Sequence, residues 1–147
     1  MLKERVSEKQ LRKPSVKELL YALVIAYYED VIETRKIARL FRTELWSRFS
    51  KVLSNYGFQV PSFDEVHKLL WDFFVKLMMN RFEMADTVRE WGVSSVLALD
   101  YLPHPWKNGK VEVLIRLRGA GDWVEVMEKM KYEYNRLKKT LSQRICT

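Results

Sequence analysis

The chain has 147 residues, 48% of them hydrophobic and 13% aromatic, enough for one domain with a real core and too apolar for a disordered protein. Its formal charge of +7 points to a polyanionic partner, nucleic acid first and an anionic membrane surface second. A single cysteine, Cys146, excludes an internal disulfide, and the start Met1-Leu2-Lys3-Glu4-Arg5 lacks a hydrophobic signal region. The expected setting is therefore intracellular, without secretion by a signal peptide. Scarce Gln and Asn beside abundant Lys, Arg and Glu lean towards a thermophilic source.

Residues 1–14 read as a basic N-terminal arm: Lys3, Arg5, Lys9, Arg12 and Lys13 against two acids. Such an arm either lies on a polyanion or frays as an ordinary terminus.

Residues 15–147 then read as a single helical domain, with helices over about 15–56, 63–91 and 122–145. The first opens at Ser15, with Glu18 three residues on as a capping box, and stops before Gly57. Its first half, Leu19 to Tyr28, is apolar or aromatic on every side. Protein or a partner chain must surround it, and the run is too short to cross a membrane.

In its second half Ile37, Phe41, Leu45, Phe49 and Val52 share the apolar side, and Glu44, Arg48 and Lys51 lie where they can pair together. Arg35, Arg39 and Arg42 form another stripe at i, i+4, i+7, with Trp46 next in line and no acid within it. Guanidinium groups beside an aromatic suit phosphate and base-stacking contacts. The competing reading is a solvated face with salt bridges to other helices.

Gly57 to Ser62 is a short link, so the first two helices should fold back as a hairpin. Pro61-Ser62-Phe63-Asp64-Glu65 repeats the Pro-Ser-apolar-x-Glu start of the first helix, as cap chemistry alone would produce. Val66, Leu70, Phe73, Leu77, Met84 and Val88 form the buried stripe, widened by Leu69, Phe74, Met78, Phe82 and Ala85. Met78-Met79 is expected in the core or at a subunit contact.

Two prolines make Leu102-Pro103-His104-Pro105-Trp106 irregular, Asn108-Gly109 signals a tight turn, and Lys110 to Arg118 alternates as a strand would. A small β-hairpin near residues 100–118 is expected. Lys107, Lys110, Arg116 and Arg118, with Trp106 beside them, make it a second candidate contact surface. Asp122 caps the last helix, whose apolar face is Trp123, Val126/Met127, Met130, Tyr134, Leu137, Leu141 and Ile145.

No catalytic set emerges, so the chain is read as a non-enzyme. His67 and His104 have no partner at metal-ligand spacing, and no phosphate-cradling glycine loop exists. Asp100 followed by Glu112-Val113-Leu114 lacks the lysine that a restriction-type nuclease needs, and the helices are too long for a helix-turn-helix. No cofactor is implied.

The basic arm and long-helix bundle, covering about residues 1–91, resemble the major capsid nucleoproteins of filamentous and rod-shaped viruses of hyperthermophilic archaea. In that family helical subunits wrap double-stranded DNA and bury it in a filament. The resemblance implies a sequence-independent, DNA-packaging structural protein that assembles into filaments or oligomers, with duplex DNA favoured over RNA. Alternatives are a small helical subunit of a CRISPR-type ribonucleoprotein and a helical protein–protein adaptor.

Overall fold

A ten-residue run that is greasy on every side needs protein all round it, and the chain supplies that protein itself. In the computed structural model, which describes residues 11–105, 111–119 and 122–146 (of the last three, the backbone only), helix α1 runs Val16–Thr34. Every residue from Leu19 to Tyr28 is buried within it. Ser15 closes the expected capping box with Glu18. Around α1 lie α2 (Trp46–Asn55), α3 (Phe63–Met79) and α5 (Trp123–Cys146). Helix α4 (Arg81–Trp91) and a 3-10 turn (Ser94–Ala98) lead from α3 into a small sheet. The class is mainly α, and among the described residues no helix is long and apolar enough to cross a membrane.

The forty-residue first helix is a correction: α1 ends at Thr34, and residues 35–45 are not helical in continuation. Thr34 turns its hydroxyl back to the Asp30 carbonyl at 2.7 Å. Arg35 follows in the left-handed region at φ 60° and donates its N–H to the Val31 carbonyl, a helix stop made without glycine. Strand β1 (Ala38–Leu40) comes next, then a distorted turn Phe41–Leu45 in which Arg42 and Thr43 leave helical dihedrals, then α2.

The expected hairpin is present as β2 (Leu99–Pro105) and β3 (Val111–Leu117), antiparallel with Tyr101 opposite Ile115. The irregular stretch expected at the prolines is a second correction, since Pro103 and Pro105 both lie in β2. The strand order is β1-β3-β2, so β2 is an edge strand, where a missing N–H can face away from the ladder. Antiparallel β1 closes the other edge, with Arg39 opposite Ile115.

The second helix is broken at Asn80, whose φ of −139° and ψ of 71° end α3 before α4 begins. Val66, Leu70, Phe73, Leu77 and Val88 are buried as their spacing predicts. Phe74 is buried too, but Met78 and Met79 at the end of α3 and Phe82 beyond the break are 61%, 82% and 92% exposed, so they are not core. Helix α5 matches its prediction closely and buries Met127, Met130, Leu137 and Leu141, while Trp123 is half exposed. Tyr134 joins α5 to α1, its ring 4.7 Å from that of Tyr28 and its hydroxyl donating to Glu29 at 2.7 Å.

Candidate nucleic-acid interface

In a strand successive side chains alternate faces, and directly paired residues share one. Ile115 is fully buried, so its partner Arg39 also points inward. There its Nε meets Asp30 of α1 at 2.8 Å, and its Nη2 donates to Glu44 at 2.7 Å. Asp30 is 1% exposed. The Asp30 contact is an ion pair without an aligned hydrogen bond: neither Asp30 oxygen nor Arg39 Nε completes one. Burial raises the Asp30 carboxyl above its ordinary pKa, against the lowering pull of Arg39 and Arg48.

The three-arginine stripe is therefore taken apart. Arg39 holds the sheet to α1. Arg35 is exposed at the helix stop, on the rim of an apolar cleft of about 290 Å³ with Ile32, Ile37 and Trp123. Arg42 lies in the distorted turn, its guanidinium over the Phe63 ring at 5.0 Å. Glu44, Arg48 and Lys51 do not pair among themselves, since Arg48 reaches Glu29 and Glu33 of α1.

The other candidates are mostly engaged within the chain. Arg12 lies 3.5 Å from Glu18 and over Phe58 at 5.4 Å, and Lys13 meets Glu65 at 2.8 Å. Backbone bonds from Arg12 N–H to the Gly57 carbonyl and from Gln59 N–H to the Arg12 carbonyl dock residues 11–13 beside the interhelical link. This part of the arm is not frayed. Arg116 and Arg118 share Asp100, at 3.5 and 3.0 Å. Lys3, Arg5, Trp106, Lys107 and Lys110 lie outside the described residues.

Of the described candidates Arg35, Arg42 and Trp46 remain, and Arg42 and Trp46 lie together. Phe63 links them: it carries the Arg42 guanidinium and meets the Trp46 ring near-perpendicularly at 5.4 Å. Phe49 stacks on Trp46 at 5.6 Å and Phe41 meets it edge-on at 5.7 Å. The indole is thus held by three phenylalanines, two of them fully buried, while its uncovered part lines a shallow groove of about 470 Å³. Ser47, Ser50, Lys51 and Ser54 of α2 and Val60 of the link complete the lining. Among the described residues, neither Arg42 nor Lys51 meets a carboxylate.

The serines were absent from the sequence prediction, and Lys51 was placed there in a self-pairing cluster with Glu44 and Arg48. The signal for the serines was the spacing 47, 50, 54, which keeps three hydroxyls on one side of a helix, one position after an aromatic. The chemistry available is hydroxyl and ammonium donors for phosphate, and an indole for a flat apolar group.

The aromatic row continues along α3. His67 lies 5.9 Å from Phe63, and its Nδ1 is 2.9 Å from the buried Tyr101 hydroxyl. Burial pushes the Tyr101 pKa far up, so that hydroxyl stays protonated in its hydrogen bond with the His67 ring. Burial also lowers the His67 pKa from its ordinary 6.5, with Asp64 acting the other way. The folded state thus resists protonation. The stability this gives is fully present above pH 6.5 and is lost as pH falls through the lower folded value. Melting followed from pH 7.5 to 5 should show this decline, and His67→Gln should flatten it. An equal slope in both proteins would count against the assignment.

Comparison with protein families, with curated proteins and with solved structures finds no match for this chain.

Proposed function

We propose that this protein is a non-enzymatic, sequence-independent nucleic-acid-binding structural protein. The observation that carries this reading is the side of the molecule at Arg42, Trp46 and Lys51. Two cations without carboxylate partners flank an anchored indole there, in a chain whose formal charge is +7. The interface is narrower than the sequence implies, because Arg12, Lys13, Arg39, Arg116 and Arg118 are held by acids of the same chain. The DNA-packaging, filament-forming version of the reading drew on a rod of forty residues. With that rod ending at Thr34, support for it comes from surface charge instead of architecture.

A salt titration tests the proposal. Labelled nucleic acid of random sequence should bind at low salt and release steeply as salt rises. Each lost phosphate contact lowers the slope by roughly 0.7 to 0.9 log unit per log unit of salt. Arg42→Gln with Lys51→Gln should therefore flatten the slope by about 1.4 to 1.8 while melting stays near the parent. An unchanged slope would remove this surface from the reading.

A second reading, the helical protein–protein adaptor, is supported by Met78, Met79 and Phe82, bare at the break between α3 and α4. Absence of binding to any nucleic acid at low salt would put the adaptor first. A marked preference for RNA over DNA would favour the ribonucleoprotein subunit.

A further inference from the structure

The groove on α2 also bears on which form of nucleic acid fits it. We infer that its ligand is a single strand, with one unstacked base lying against Trp46 and the neighbouring phosphates held by Lys51 and Arg42. This rests on the proposal that the protein binds polyphosphate.

The indole is the deciding element. It is half buried, stacked on Phe49 and bounded by Phe41 and Phe63, so it does not protrude. A duplex keeps its bases stacked, and reading them takes an element that enters a groove. Helix α2 is backed by the core through Phe49, Val52 and Leu53, and its indole lies among the phenylalanines instead of reaching outward towards a base edge. A recessed aromatic can meet only a base already out of the stack. Single strands present such faces, and base–aromatic stacking is indifferent to sequence. Holding the ring in advance also removes the ordering cost that a mobile tryptophan would add on binding.

The rest of the lining fits the strand's backbone. From Trp46 to Ser54 the helix rises about 12 Å, long enough for more than one nucleotide. Over that length Ser47 and Ser54 offer hydroxyls and Lys51 its ammonium. Ser50 also lines the groove, but its Oγ is covered from solvent and has no hydrogen-bond partner among the described residues. Arg42, held over Phe63, supplies charge at the indole end. The lining residues contain no carboxylate that would repel phosphate.

The experiment measures oligo-dT of increasing length, the mononucleotide and a duplex of matched length against the full chain and Trp46→Leu. Leucine keeps an apolar filler among the phenylalanines but has no π-face. The single strand is expected to bind more tightly than the duplex, with affinity rising with length. Trp46→Leu should weaken it tenfold or more and weaken duplex binding by much less. As a check independent of folding, dT carrying a photoreactive halogenated uracil should crosslink to Trp46 in the unaltered protein. Equal binding of strand and duplex, both unaffected by Trp46→Leu, or a crosslink mapped elsewhere, would overturn the single-strand inference alone. Loss of all binding at low salt would overturn the polyphosphate proposal beneath it. Binding of the mononucleotide as tightly as of the longest strand would make the site a nucleotide pocket and also overturn the inference.

Discussion

Asp30→Ala is expected to destabilise the protein by about 3 kcal/mol or more, the usual cost of breaking a buried ion pair by removing one partner. For a chain of this size that is on the order of 10 °C in melting temperature. The reason lies in what is left behind. The Arg39 side chain is 14% exposed and projects from β1 towards α1, so without Asp30 its charge keeps only the exposed carboxylate of Glu44. The pair is itself no great source of stability, since burial, helped by the nearby Glu44 charge, raises the Asp30 pKa against the pull of two arginines. Replacing both residues should therefore cost less than replacing either. The double variant Asp30→Leu with Arg39→Met, measured in denaturant with both single variants, should show a favourable coupling of at least 1.5 kcal/mol. Additive effects would mean that the two side chains are independent, and that β1 is held to α1 by something else.

The same residues mark where the sequence could be read and where it could not. The ten-residue apolar run of α1, the Ser15–Glu18 cap, the stripe from Val66 to Leu77 and the face of α5 are local patterns, and local patterns carried them. The Asn108-Gly109 dipeptide, a turn signal in the sequence, announced the antiparallel pairing of β2 with β3. The break after Thr34 had no such marker. No glycine or proline stands between Pro14 and Gly57, and Arg35, Arg39 and Arg42 fit a helical face well. What ends the helix is a partner far along the chain: residues 38–40 pair with residues 114–116 of β3. Once Arg39 is in a strand, alternation turns it from surface to interior, and a predicted phosphate contact becomes an internal ion pair. Asn80 likewise ends α3 early, and Phe82 just beyond it lies on the surface, as do Met78 and Met79 at the end of α3. Of the candidate site, Arg42 and Trp46 were legible as a cation beside an aromatic. The groove was not, because it needs the link residue Val60 folded against α2.

Phe41→Ala should be the most damaging single truncation in the region, with a loss of about 3 to 5 kcal/mol. Phe41 is fully buried where β1 gives way to α2. Its ring meets Phe49 at 5.2 Å, Trp46 at 5.7 Å, Phe63 at 5.8 Å and Tyr101 at 6.3 Å. One side chain thus joins α2, α3 and the sheet, and these elements cannot close together over the space it leaves. Phe41→Leu keeps most of the volume and should lose less than about 1.5 kcal/mol, which separates cavity from shape. Chemical denaturation with both variants checks the order. A loss below about 1.5 kcal/mol for alanine would show that the aromatic cluster repacks, and the indole would then not be rigidly held. The effect on binding should run parallel. With Phe41 gone, Trp46 keeps only Phe49 and Phe63, so a base would have to order the ring it stacks on. Single-strand affinity should then fall under conditions where the variant is still folded, while the salt slope, set by Arg42 and Lys51, stays as it was.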